Sequence, residues 1–160
     1  TALETPQDVR RVDVLSAEEM YEASVKEFEG ADCAVMCAAV ADYTPAEVSA
    51  TKIKKSDAEF TLSLRKTKDI ALELGKMKGA RKIVGFALET NDEEANAEKK
   101  LHSKNLDMIV LNSLRDEGAG FGHDTNKVTF IDGTQREELL LISKAEVAER
   151  IADRIEKLLK

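Results

Sequence analysis

Apolar positions along the chain follow two rhythms, one near 3.6 residues and one of two residues or none, and each change of rhythm marks an element. Arg11-Val12-Asp13-Val14-Leu15 alternates and predicts a short strand. Ser16 with Glu19 forms a capping box, so a helix is expected to about Glu29, stopping at Gly30. Its apolar stripe is Met20, Ala23 or Ser24, and Phe28. Residues 33–39 are almost unbroken apolar, the pattern of a strand covered on both faces. A polar stretch over residues 42–59 follows, long for a plain connection and so a candidate functional loop.

Residues 60–66 alternate again and predict a strand with one wet face. Thr67 is placed to cap a helix beginning at Lys68 and Asp69. Residues 82–88 and 107–112 predict two more buried strands, and the helix between them opens at a second capping box, Thr90 with Glu93, and runs to about Ser103. Residues 115–126 form a Gly-rich loop. Residues 128–131 and 139–142 flank the Asp132-Gly133 turn and predict a hairpin. Ser143 with Glu146 is a third capping box, opening a last helix whose apolar face is Val147, Ile151, Ile155 and Leu158. Strands alternating with helices predict an α/β fold. The expected form is a three-layer, Rossmann-like, mainly parallel sheet with helices on both faces and an antiparallel edge hairpin.

Composition narrows the function. The 160 residues suit a single α/β domain over residues 1–160, and 42% hydrophobic with 34% charged is a globular balance. No apolar run approaches the roughly 20 residues of a membrane span, and no signal-peptide pattern opens the chain. Thr1 to Pro6 reads as a cut into a longer protein. Cys33 and Cys37 point to one face of a strand, too far apart to bridge, and read as small core residues of a reducing compartment. The net charge of −7 argues against a general nucleic-acid binder. Residues 52–104 nevertheless carry 13 Lys/Arg against 9 Asp/Glu, leaving −11 for the rest. That basic middle suggests a small anionic ligand, though a solvated mixed-charge surface fits the count equally.

In an open parallel sheet, ligands bind beyond the carboxyl ends of the strands. The first candidate there is Ala38-Ala39-Val40-Ala41-Asp42-Tyr43, where small residues let a ligand approach and Asp42 can meet a ribose hydroxyl or a metal. Lysines 52, 54 and 55 sit in the long loop, where they can close over phosphates. The helix start at Thr67-Lys68-Asp69-Ile70 offers N–H groups to an anion. Lys100 and Lys104, four apart, share a helix face and repel unless an anion sits between them. Each also has an ordinary reading: a turn Asp, a solvated loop, a plain cap, two surface lysines. Gly118-Ala119-Gly120-Phe121-Gly122 imitates a dinucleotide fingerprint, but a strand follows it where a helix is required. His102 and His123 complete no metal spacing, so no metal-ligating residues are assigned.

Five stretches together resemble the phosphopantothenoylcysteine synthetase (phosphopantothenate–cysteine ligase) family, in its order and spacing. They are Ala38-Ala39-Val40-Ala41-Asp42-Tyr43, Lys52-Ile53-Lys54-Lys55, Gly85-Phe86-Ala87-Leu88-Glu89-Thr90-Asn91, Lys104-Asn105-Leu106-Asp107, and Gly120-Phe121 with Asp124 and Asn126. The resemblance implies a catalytic Lys52. It implies nucleotide contacts at Asp42, Lys52, Lys68, Asp69, Ile70, Ala71, Phe86, Lys100 and Lys104. It implies CTP, 4'-phosphopantothenate and L-cysteine as substrates, Mg²⁺ with the nucleotide, a homodimer, and a cytoplasmic setting with no nucleic-acid or membrane partner. ATP is the alternative nucleotide. FMN would belong to a fused decarboxylase half and not to this chain. The family's opening Gly-rich βαβ unit and its Ser-Asn-x-Ser-Ser-Gly word have no counterpart here, so the chain is expected to start after that unit. The competing reading is a non-catalytic nucleotide-binding α/β module.

Overall fold

The computed structural model describes residues 3–53, 60–89, 91–113 and 122–160. In chain order the elements are α1 (Ala17–Phe28), β1 (Cys33–Met36), β2 (Tyr43–Pro45), β3 (Leu64–Lys66), α2 (Ile70–Lys76), β4 (Lys82–Glu89) and α3 (Glu93–Ser103). Then come β5 (Met108–Ser113), β6 (Thr125–Asn126), β7 (Val128–Asp132), β8 (Arg136–Glu138), β9 (Ile142–Ser143) and α4 (Lys144–Leu158). The central sheet runs β1-β4-β5-β7-β8. Its first three strands are parallel, and β7 and β8 are added antiparallel.

Both faces of the sheet are covered, which makes three layers. On one face Ile83 and Ala87 of β4 pack with Phe28 of α1, Ile70 and Leu74 of α2, and Ala97 and Leu101 of α3. On the other, Val84, Val110 and Phe130 pack against Val147 and Ile151 of α4. Each fully buried Val, Leu, Ile or Phe among them contributes about 1.5–3 kcal/mol. The capping boxes at Ser16/Glu19 and Ser143/Glu146 are both formed, and α4 buries the face its spacing predicts.

Several expectations are corrected. Residues 11–15 form no strand; they are open chain with Leu15 99% exposed. β1 is only partly covered: it lies at the edge of the described sheet, Cys33 packs on one face and Ala34 and Met36 on the other, and Val35 stays 43% exposed. Cys37 is exposed rather than core. Burial, with the negative charge of Asp107 adding, pushes the Cys33 thiol up, so it remains protonated. Only residues 64–66 of the alternating stretch pair, and they join β2 in a separate two-stranded ribbon, because the predicted loop itself supplies the partner strand. Asp69, not Thr67, caps α2. Asp92, left-handed at φ 45°, is the N-cap of α3 and makes no side-chain cap bond, while Thr90 lies outside the described residues. The hairpin returns sooner than expected, through β8, and residues 142–143 pair with β6 instead.

Asp132 causes that early return. Its carboxylate accepts the N–H groups of Thr134 and Gln135 at 2.8 and 2.9 Å and the Thr134 hydroxyl at 2.8 Å. Burial raises this carboxyl's pKa, but those bonds outweigh it and hold the group below its ordinary value of 3.8. A carboxyl depressed in the folded state stabilises fully above its unfolded pKa and loses that contribution as pH falls through the folded one. The denaturation midpoint should therefore fall as pH drops below about 4. Asp132→Asn should flatten part of that slope, since Asp69 and Glu146 act in the same direction. Equal slopes in the two proteins would show that the turn carries no linked proton.

Candidate functional site

Two adjoining hollows open beyond the carboxyl ends of β1 and β4 and share Ala38 and Phe86 as a partition. Small residues make the opening: after Met36 the chain turns tightly, with the Val40 N–H donating to Ala38 O at 3.2 Å. The next segment is stitched to the start of α2. Thr67 N–H donates to Asp42 O at 2.9 Å, and the Thr67 hydroxyl donates to Ala41 O at 2.7 Å. Those bonds bring Asp42 beside Lys68, Asp69, Ile70 and Ala71.

Phe86 and Lys104 complete this first hollow, a cavity of about 170 Å³. Three of its charged residues, Lys68, Asp69 and Lys104, are paired. Lys68 bonds Glu18 of α1 and stands over the Tyr21 ring at 4.3 Å; the Glu18 bond holds its ammonium above the ordinary lysine range. Asp69 accepts the Leu72 N–H at 3.0 Å and lies 2.9 Å from Lys104 Nζ. Burial pushes the Asp69 carboxyl up, but the bonds from Lys104 and Leu72 prevail and leave it below its usual range. The N-terminus of α2 is thus filled by its own carboxylate, and a ligand here meets the Asp69–Lys104 pair rather than bare N–H groups.

Lys104 is delivered by a knot of backbone contacts. Asn105 turns left-handed at φ 53° and donates Nδ2 to Gly75 O at 2.8 Å. Lys78 Nζ donates to Asn105 O at 2.9 Å. Asp107 accepts the Ile83 N–H at 2.8 Å and faces Lys78 Nζ at 3.2 Å. A Cβ on Gly85 would lie 2.6 Å from Leu106 Cδ1, so Leu106 rests directly on that glycine. The Lys104-Asn105-Leu106-Asp107 word is therefore mostly structural, with Lys104 as its one residue on the hollow.

The first hollow gathers Asp42, Lys68, Asp69, Ile70, Ala71, Phe86 and Lys104 from the predicted set. Lys100 does not line it; its ammonium binds Glu89 at 2.5 Å. Lys52 is exposed on its loop and lines neither hollow, while Lys54, Lys55 and residues 118–121 lie outside the described residues. Sequence reasoning missed Thr67 as a stitch. It also missed Cys37 and Lys144 of the second hollow, a cavity of about 270 Å³ that Leu88 and Asn112, both at strand ends, help to line. There the buried Asn126 donates Nδ2 to Asn112 Oδ1 at 3.1 Å. Lys144, at the start of α4, offered no signal in the sequence. No cluster of three His, Cys, Asp or Glu that could hold a metal occurs among the described residues. Among them, too, no helix is long and apolar enough to cross a membrane.

Residues 1–159 match the family described as the DNA/pantothenate metabolism flavoprotein C-terminal domain. A protein named cysteine/cysteine sulfinic acid decarboxylase, from an unknown prokaryotic organism, is 55% identical over 155 residues, 96% of this chain and 42% of that protein. The coenzyme A biosynthesis bifunctional protein CoaBC of Bacillus subtilis (strain 168) is 47% identical over 146 residues, 90% of this chain and 36% of that protein. The chain thus spans less than half the length of either relative. The crystal structure of the C-terminal domain of a CoaBC bifunctional protein superposes with a TM-score of 0.81 at 38% identity, over 99% of this chain and 70% of that one.

Proposed function

Since the chain belongs to the DNA/pantothenate metabolism flavoprotein C-terminal domain family, we propose that it serves the ligase step of coenzyme A biosynthesis, joining 4'-phosphopantothenate to L-cysteine at the expense of CTP. The observation that carries this reading is the first hollow, where Asp42, Lys68, Asp69, Phe86 and Lys104 meet at the ligand-binding end of a parallel sheet. A carboxylate and an amine do not condense at neutral pH, because the carboxylate oxygen is a poor leaving group. In the proposed reaction the phosphopantothenate carboxylate attacks the α-phosphorus of CTP, and the bond to pyrophosphate breaks. The cysteine amine then attacks the acyl carbon of the acyl-cytidylate, CMP leaves with the bonding electrons, and the amine loses a proton. The protein's share of such chemistry is positioning and charge neutralisation.

In this reading Lys104, with Lys100 beside it, meets the phosphates. Phe86 walls the nucleotide site, Asp42 faces the ribose or the metal, and Lys52 on its loop neutralises charge as the acyl-phosphate forms. Magnesium carried on the phosphates needs only one or two carboxylates, and Asp42 at the hollow meets that need; its chemistry would be to neutralise phosphate charge. FMN would belong to a fused decarboxylase half and not to this chain, and cytoplasmic placement and a second copy of the chain are part of the same proposal. Tyr43, Leu62 and Leu64 at the β2–β3 ribbon, each more than half exposed, support the second copy.

Decarboxylation of cysteine or its sulfinate, the activity in the name of the 55% relative, is the second reading. That name covers a protein more than twice the length of the aligned region, so its chemistry need not reside here. The deciding assay follows pyrophosphate and CO₂ together, with release of pyrophosphate expected only when CTP and 4'-phosphopantothenate are both present. CO₂ from cysteine sulfinate without pyrophosphate would replace the ligase reading. CTP with Mg²⁺ at 100 times its Kd should add about 2.7 kcal/mol of stability, a rise of roughly 5–10 °C in melting temperature. ATP and NADH at equal concentration should give less.

A further inference from the structure

Two lysines at the end of α3, Lys100 in its last turn and Lys104 at its C-cap, are each tied to a carboxylate from a different element. Lys104 Nζ stands 2.9 Å from Asp69, the N-cap of α2, and Lys100 Nζ stands 2.5 Å from Glu89, the last residue of β4. Nothing in α3 itself requires this. Lysines four apart lie on one face and repel, and their four-carbon stems are free to sweep. Carboxylates at two separate anchors divide the pair and set where each ammonium stands. Both anchors are firm: Asp69 is held by the Leu72 N–H at 3.0 Å, and the Glu89 side chain is 15% exposed at the end of an interior strand of the sheet.

We infer that Asp69 and Glu89 are positioning residues, acting through Lys104 and Lys100 to preset the cations that receive a polyphosphate. The inference rests on the nucleotide reading of the hollow and deepens it. An ammonium has three N–H donors, so one bond to a carboxylate leaves two for phosphate oxygens. The ordering of each lysine is complete before the ligand arrives, which spares that cost on binding. A carboxylate that merely competed with phosphate would do the reverse, and its removal would tighten binding.

Asp69→Asn separates the two roles, because Asn caps a helix about as well as Asp while carrying no charge. The experiment titrates inorganic tripolyphosphate and, separately, Mg²⁺ with CTP into the unaltered protein, Asp69→Asn, Lys104→Gln and the double variant. Asp69→Asn is expected to weaken tripolyphosphate binding roughly three- to tenfold, the scale of freeing one rotamer-rich side chain. Its melting temperature should fall only slightly, by the share of stability that the depressed Asp69 carboxyl contributes, and it should add nothing to the binding loss in the Lys104→Gln background. Glu89→Gln and Lys100→Gln should behave as a second such pair, which guards against one variant folding poorly. Unchanged or tighter binding in Asp69→Asn, equal losses with and without Lys104, or no tripolyphosphate binding by the unaltered protein would each overturn the inference. Tripolyphosphate binding without CTP binding would sink the nucleotide reading and leave the positioning role standing. CTP binding unaffected by any of these variants would do the opposite.

Discussion

Gly75→Ala is expected to destabilise the protein by about 2–3 kcal/mol, lowering its melting temperature by roughly 5–10 °C. The sign is the reverse of what helix propensity suggests, since alanine inside a helix is usually worth up to about 1 kcal/mol over glycine. The reason is a backbone contact. A Cβ at Gly75 would lie 2.0 Å from the Lys104 carbonyl oxygen and 2.9 Å from its carbon. Backbone cannot rotate away as a side-chain tip can, so α2 and the end of α3 must part. The same separation would stretch the Asn105–Gly75 bond and shift Lys104 at the hollow. Nucleotide affinity should therefore fall along with stability. Gly30→Ala is the control: nothing lies within 4 Å of its added Cβ, and the change should stay within about 0.5 kcal/mol. A rise in melting temperature for Gly75→Ala would mean that α2 and α3 do not meet this closely.

Lys52→Gln is expected to slow CTP- and phosphopantothenate-dependent pyrophosphate release about 100-fold or more, the scale of losing one preorganised charge-stabilising donor. Its stability should hardly change, because Lys52 is exposed on the loop after β2. That contrast makes the experiment clean: a rate loss here cannot come from unfolding. Lys104→Gln should differ in kind, raising the KM for CTP more than it lowers kcat, since Lys104 lines the hollow where the phosphates would rest. An unchanged rate of pyrophosphate release in Lys52→Gln would remove that residue from the mechanism.

Much of the architecture was legible because its signals are local. Two capping boxes, at Ser16/Glu19 and Ser143/Glu146, each need only four consecutive residues, and both formed. The buried strands at residues 82–88 and 107–112 announced themselves by runs of apolar residues that only a doubly covered sheet accommodates. The failures share a cause. Residues 11–15 and 60–66 alternate as strands do, but alternation does not say whether a partner strand or a core lies opposite. For the first none does among the described residues, and for the second the partner is a short ribbon strand inside the supposed loop. Thr67 and Asp69 are both good caps by type; the Thr67 hydroxyl is drawn instead to Ala41, 26 residues away.

Periodicity, caps and strand ends act over a few residues, so the layer order, both ends of α1 and the start of α4 were readable from the chain alone, along with candidates for a ligand site. Which polar groups share a hollow, and what each bonds, was set by the packing of the elements. Lys104 faces Asp69 and Lys68 faces Glu18 across 35 and 50 residues of chain. Such pairings depend on how helices settle on the sheet, down to the approach of α2 to α3 that one glycine permits. No local pattern encodes a distance between elements, which is why the lysines were visible in the sequence and their carboxylate tethers were not.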